Sequence, residues 1–266
     1  MFYLYAIVAG PGIGAELPEE GILPGIAVGT VACGGLACIV SEVPVEIFGE
    51  APLRLLLEQS AWTKERALAH ERVVAGLAAA HTLLPLKFCT LFSDRDSLIR
   101  VMERHQEALG QALAHIRGAR EWGVKLFYDP ARLRGWLDTE PGAEPAPAAK
   151  AAGAAFFARK QNELRRQQEV LVAVRHCTEE SHRRLADLAR EATAAASQSP
   201  ALHGRKDEMA LNGAYLVTEG GEEALRDCVR ALMEAYAPSG FDFILTGPWA
   251  PYNFTRLHLG ELTPPH

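Results

Sequence analysis

The sequence lacks any apolar run approaching the roughly 18 residues a membrane-spanning helix needs, which excludes an integral helical membrane protein. It also lacks positive charge in excess. Lys and Arg number 27 against 33 Asp and Glu, for a net charge of -6. No basic stripe interleaved with aromatics is present, so neither nucleic acid nor a lipid membrane is an expected partner. The five cysteines, Cys33, Cys38, Cys89, Cys177 and Cys228, are odd in number, scattered and mostly set in apolar runs. That pattern reads as buried free thiols in a reducing compartment, not as a disulfide framework. The opening Met1-Phe-Tyr-Leu-Tyr-Ala-Ile-Val8 has no basic flank and suits a strand better than a signal peptide, so a cytoplasmic protein is expected. Missing as well are a Gly-x-Ser-x-Gly elbow, a Walker A loop, an EF-hand loop and any short-period repeat.

What is present is the composition of a globular protein, 48% hydrophobic and 23% charged. At 266 residues the first expectation is two domains, with one larger domain as the alternative. Residues 2–9 form a nearly continuous apolar run, as in a strand buried on both faces. From Ile26 to Val43 two short apolar stretches flank Gly34-Gly35, a hairpin signature, because paired glycines accept positive φ. Helical spacing covers Pro52–Ala80 in two pieces, the second capped by Thr63. Leu83–Phe92 reads as one strand, Asp96–Arg117 as a helix capped by Ser93 and Asp94, and Gly123–Asp129 as a strand. This order predicts an α+β sandwich related to the ferredoxin-like fold over residues 1–137, with helices on one face of a mainly antiparallel sheet.

Pro141, Pro145 and Pro147 make 138–150 the best linker candidate. Residues 151–266 then read as a C-terminal domain of long helices, a small antiparallel sheet and an aromatic tail. Helix is expected almost throughout Ala151–Ser197, where Phe157, Leu164, Leu171, Leu185 and Ala192 recur at seven-residue intervals. One long helix and two packed helices broken near His176–Thr178 fit equally. Met209–Thr218 and Phe241–Thr246 read as strands, with a helix over Glu222–Tyr236 between them.

No candidate chemistry survives its context. Gly10-Pro-Gly-Ile-Gly-Ala15 fits a dinucleotide-loop pattern, but Pro18, Gly21, Pro24 and Gly25 follow where the phosphate-facing helix would begin. His70-Glu71-Arg72-Val73-Val74 has Val74 where a zincin needs its second histidine, and His81 lies about 16 Å further along the helix. Cys33 and Cys38 lack a second ligand pair, and His176-Cys177 lacks a base-and-orienter set. No catalytic, cofactor-binding or metal-binding residue is therefore expected.

The chain resembles the GvpF/GvpL family of gas vesicle proteins over nearly its whole length. The likeness rests on Phe2-Tyr-Leu-Tyr-Ala-Ile-Val8, His70 with Val73-Val74 before Leu84-Pro-Leu-Lys-Phe88, Glu121-Trp-Gly-Val-Lys-Leu126, Asn212-Gly-Ala-Tyr-Leu-Val217 and Gly247-Pro-Trp-Ala-Pro-Tyr-Asn-Phe254. The last two carry most of it. This resemblance implies a minor, non-enzymatic component of gas vesicle assembly that contacts the hydrophobic main shell protein, with other minor vesicle proteins as further partners. It also implies a cytoplasmic stage followed by association with the vesicle, and two α+β domains, the first of modified ferredoxin-like type.

Shell subunits expose apolar edges before assembly, and such edges aggregate unless covered. The Gly-rich, weakly charged hairpin is the expected contact, through Ile26, Val28, Val31, Leu36 and Ile39. Trp249, Tyr252 and Phe254 are expected to pack within the protein, sealing its domain interface as a lid on the C-terminal core, so that Trp249→Ala lowers the melting temperature; recognition of a partner is the alternative, and would show as unchanged melting with lost binding. The rival classes are a small-molecule enzyme and a ligand-sensing module, either with a cryptic inter-domain site.

Overall fold

Eight consecutive apolar or aromatic side chains, Phe2–Ala9, form strand β1, which accepts antiparallel partners on both sides. The computed structural model describes residues 1–11, 17–139, 152–196 and 204–255. Along one side of β1 runs β3 (Leu36–Glu42), itself paired with β2 (Gly29–Cys33). The β2–β3 hairpin turns at Gly34, whose φ of +63° is open to glycine without strain. Along the other side lie β4 (Leu83–Pro85) and β5 (Leu91–Phe92).

The pairing of β1 with β3 slips between Leu4 and Ala6, leaving Tyr5 as an extra residue. A bulge of this kind resets the side-chain alternation. Tyr3, Tyr5, Ala6 and Val8 consequently enter one apolar core together with residues of α2 (Glu50–Leu57) and α3 (Ser60–Ala78). Leu4, Ile7, Cys38 and Val40 are buried as well. Against these strands pack α4 (Arg95–Arg104) and α5 (Gln106–Ile116), which bury Leu98, Met102, Leu109, Leu113 and Ile116. Helices therefore cover both faces of the sheet, where the sequence pattern predicted one. A short α1 (Val45–Phe48) follows β3.

The expected single strand Leu83–Phe92 is two. Pro85 ends β4, and Cys89 at φ +63° turns the chain before β5. The loop between them stays tied to β1 by Leu86 N–H to Tyr5 O at 2.8 Å and Leu4 N–H to Thr90 O at 2.9 Å. The expected helix Asp96–Arg117 is likewise two, separated at His105. Asp94 caps α4 in a capping box with Ser97. Thr63 caps nothing, since α3 begins at Ser60 and the Thr63 hydroxyl donates back to Leu57 O.

A second sheet has the order β7-β8-β6-β9, made of β6 (Ala119–Tyr128), β7 (Glu191–Ala195), β8 (Glu208–Thr218) and β9 (Phe241–Trp249). β9 carries Pro248 at the sheet edge, where a missing N–H does least harm. Three helices accompany this sheet: α6 (Pro130–Leu137), whose first turn is capped by Asp129, α7 (Ala152–Ala186), and α8 (Glu222–Tyr236). Leu225, Val229 and Leu232 bury one stripe of α8, and its two N-terminal glutamates face the positive end of the helix dipole.

Between the two readings of the third helical region, the structure has one unbroken helix, but it stops at Ala186. The Glu191–Ala195 segment, helix-favouring by composition, instead pairs with Asn212–Leu216 of β8. Backbone groups left open along β8 outweigh a weak local propensity. Of the seven-residue stripe within this helix only Leu185 is buried, beside Val170, Cys177 and Ser181, whereas Phe157, Leu164 and Leu171 are exposed.

The chain forms two compact units, Met1–Glu121 with Trp249–His266, and Trp122–Pro248. This division differs from the one predicted at 137 and 138–150. The strand over Gly123–Asp129, read as N-terminal, pairs within the second sheet, and the tail from Trp249 counts with the first unit. Residues 140–150 of the expected linker lie outside the described residues. Among the described residues, no helix is long and apolar enough to cross a membrane.

Candidate functional site

The hairpin side chains expected to meet a partner mostly face inward. Val28, Val31, Leu36 and Ile39 are buried, and Ile26 is half-buried against the core that holds Val28 and Ile39. The pattern of apolar residues was visible in the sequence, but which way each pointed depended on helices covering both faces. What the hairpin leaves outward is β2 as the terminal strand of its sheet, with Thr30 and Ala32 exposed.

A different apolar feature lies nearby. Phe48, Leu53 and Leu57 from the α1–α2 region face Met1, Leu91 and Phe92 across a groove of about 730 Å³. Leu57 is 40% exposed at this groove, and Val45 and Leu55 are exposed on the same two helices. Charged side chains Glu50, Arg54 and Glu58 border it. Cys89 also lines the groove; burial pushes its thiol up to about 11, so it is an unreactive thiol at neutral pH. The signal for this groove was the Leu55-Leu-Leu57 run. A helix packs one stripe, so three successive leucines cannot all face the same core.

The zincin-like fragment has a structural explanation. His70 is buried among Tyr3, Tyr5 and Phe88, with ring centroids 5.7, 5.7 and 6.2 Å away. Its Nε2 lies 3.0 Å from Leu86 O, which can only accept, so the proton sits on Nε2. Its Nδ1 then accepts from the Tyr3 hydroxyl at 2.9 Å, and that hydroxyl in turn accepts from Cys89 N–H at 3.1 Å. Burial lowers the His70 pKa to about 4, which keeps the ring neutral. The histidine therefore fastens the β4–β5 loop to α3 and β1.

The tail joins this network. The Tyr252 hydroxyl donates to Glu71 Oε2 at 3.2 Å and lies 3.3 Å from His70 Nε2. Asn253 donates twice to the Glu121 carboxylate, from its backbone N–H at 2.9 Å and its side-chain amide at 2.6 Å. Burial raises the pKa of both Glu71 and Glu121, against the hydrogen bonds that lower it. Phe254 is buried, and Ala250 sits in the core around β1 and α3. The lid therefore closes on the N-terminal unit and not on the C-terminal core. Trp249, expected to be buried, is 46% exposed.

Tyr5 makes a second anchor. Its hydroxyl accepts from Ile22 N–H at 2.6 Å and donates to Ser41 Oγ at 2.8 Å, since the Ser41 hydroxyl itself donates to Ala27 O, and Arg66 donates to Ile22 O at 2.6 Å. Residues 17–28 are thereby pinned to the sheet as bends and turns, without a phosphate-facing helix. Cys33 and Cys38 lie 3.9 Å apart, sulfur to sulfur. Among the described residues, no group of three or more His, Cys, Asp or Glu is placed to hold a metal ion.

Aromatic residues on β1, a histidine locked under the β4–β5 loop, and a Pro-Trp-Ala-Pro-Tyr-Asn-Phe tail docked beside it are the same stretches that carried the sequence resemblance. A family profile described as gas vesicle synthesis protein GvpL/GvpF matches residues 1–256. The chain belongs to the GvpL/GvpF family. It is 29% identical over 262 residues to gas vesicle protein L of a Streptomyces species, covering 96% of this chain and 92% of the relative. Gas vesicle protein L1 of Halobacterium salinarum is 26% identical over 200 residues, with 72% and 70% covered. Crystal structures of GvpF from an Anabaena species and from Microcystis aeruginosa share the fold, with TM-scores of 0.70 and 0.67 at 19% identity. Those matches cover 96% of this chain in each case, and 96% and 99% of the GvpF chains. Like those structures, this GvpL/GvpF member is an α+β protein with antiparallel sheets.

Proposed function

We propose that this gas vesicle protein acts in vesicle assembly or nucleation by binding the hydrophobic main shell protein through its N-terminal unit and limiting its aggregation. On this reading it is not an enzyme, works in the cytoplasm during assembly and associates with the vesicle. The observation that carries the reading is the apolar groove of about 730 Å³ beside α2, bordered by partly exposed Leu57. An exposed apolar surface of this kind on a water-soluble fold suits a partner that must hide apolar segments until it assembles. The neighbouring β2 edge offers backbone pairing to the same partner.

Co-expression with the main shell protein tests it: the full chain keeps the shell protein soluble and purifies with it. Leu57→Glu in the groove abolishes the complex while the melting temperature stays within about 2 °C, since the side chain is already partly in water. Failure of the wild-type chain to form any complex defeats the reading.

A further inference from the structure

Two thiols meet across the β2–β3 hairpin. Val31 stands opposite Cys38 and Cys33 opposite Leu36, so Cys33 and Cys38 are diagonal neighbours on one face of the sheet. Both are buried, with their sulfurs in contact at 3.9 Å. Among the described residues no group of three or more His, Cys, Asp or Glu is placed to hold a metal, whereas structural zinc takes four ligands. The chemistry open to the pair is that of a dithiol.

The two sulfurs are not equivalent. The Cys33 S–H points at Val31 O, 3.5 Å away, which leaves the Cys38 S–H as the donor between the sulfurs. That donation favours a thiolate on Cys33 and disfavours one on Cys38. From α4, which packs against β2, Glu103 opposes the Cys33 thiolate and Arg95 favours it. The Cys33 thiol is lowered from its ordinary pKa and the Cys38 thiol raised, whereas burial pushes Cys89 and Cys177 up to about 11 and about 12. Cys33 also ends β2, the terminal strand of its sheet, and its neighbours Ala32, Gly34 and Gly35 are exposed. The end of an edge strand opens at less cost than a strand paired on both sides, which gives a small reagent its route to Cys33.

We propose that Cys33 and Cys38 are an oxidisable pair, converted to an intramolecular disulfide by a low-molecular-weight disulfide of the glutathione class. The Cys33 thiolate attacks one sulfur of the small disulfide, forming a mixed disulfide and releasing one small thiolate. Cys38, as its thiolate, then attacks the Cys33 sulfur and expels the second. Two protein thiols are oxidised, one small disulfide is reduced, and the two protein protons end on the two released thiols. The sulfurs close to about 2.05 Å, beside a Gly34-Gly35 turn that has no side chains to hinder the shift. In a reducing compartment the pair stays a dithiol; as the small-disulfide fraction rises, it staples the end of the edge strand β2 to β3.

The test exposes the reduced full-length chain to millimolar oxidised glutathione in native buffer and reads intact mass and, after alkylation, a peptide map. Wild type is expected to lose two hydrogen atoms, with Cys33 and Cys38 protected from alkylation and Cys89, Cys177 and Cys228 still free; dithiothreitol restores all five thiols. Cys38→Ser is expected to stop with one glutathione on Cys33, and Cys33→Ser to leave Cys38 unmodified. Amide exchange over residues 32–36 is expected to slow about fivefold on oxidation. The wild-type map stands whether or not either variant folds. Oxidation of Cys89, Cys177 or Cys228 ahead of the pair, a wild-type chain that stays glutathionylated, or five free thiols under conditions that oxidise the urea-unfolded chain overturns the proposal. Unchanged amide exchange in the oxidised chain overturns the stapling of the edge.

Discussion

His70 carries a measurable pH signature. Its folded pKa of about 4 lies below the ordinary 6.5, so the unfolded chain takes up this proton first. Stability from this residue is therefore complete above about pH 6.5 and is lost as the pH falls towards 4, by on the order of 3 kcal/mol. Glu71 and Glu121, both raised, act in the opposite sense: their contribution is present at low pH and is lost as the pH rises through their folded pKa values. Urea unfolding of wild type and His70→Gln between pH 7 and 4.5 separates them, and the fall towards acid is expected to be shallower in the variant. The tail residues give a second test at this scale. Phe254→Ala, at a buried site, is expected to cost about 3–5 kcal/mol, whereas Trp249→Ala costs under about 1 kcal/mol because nearly half of that ring already meets water. Thermal melts of the two variants should differ by several degrees. A reading of Trp249 as a buried anchor was reasonable from its flanking prolines, but nothing local to residues 247–254 shows which ring of three turns outward.

At the scale of single elements, legibility followed the strength of the local signal. The β2–β3 hairpin was readable because Gly34-Gly35 is a turn that few other pairs can make, and α8 because its buried residues recur at helical spacing. Helix α6 was not read, since Asp129 stood only as the end of a strand, yet its carboxylate caps the N–H groups of Ala131 and Arg132 at 2.8 and 3.2 Å. Asp129→Ala is expected to lower stability by about 1 kcal/mol, measured by chemical unfolding. Strand β7 was not readable, because Ala-rich residues form a strand there only when β8 supplies partners. The stripe on α7 was visible, but its seven-residue spacing did not show that only its C-terminal member, Leu185, is buried. Leu185→Ala is expected to destabilise by about 2–5 kcal/mol, while Leu171→Ala leaves the unfolding midpoint nearly unchanged, since Leu185 is buried and Leu171 exposed.

For the whole molecule, the segment from Trp249 is the element most separated in sequence from the unit it completes. Tyr252 and Asn253 reach Glu71, His70 and Glu121, and Ala250 enters the core that β1 and α3 share. Ending the chain after Pro248 is expected to speed hydrogen exchange in β1 and α3 by at least tenfold, leaving the strands β7 and β8 protected. Uniform loss of protection across both units would instead show that they unfold as one.

The sequence alone determined the family, because the order of Pro, Trp, Tyr, Asn and Phe near the end and the aromatic opening strand are local, position-specific features that survive without knowledge of packing. It also determined that apolar strands alternate with helices in an α+β arrangement. Only the tertiary structure decided which side chains point outward. A bulge at Tyr5, helices on both faces of the first sheet and pairing of β7 with β8 are each set by contacts distant in sequence. Those contacts turned the hairpin residues Val28, Val31, Leu36 and Ile39 into core, and left the groove beside α2 and the outer face of α7 as surface.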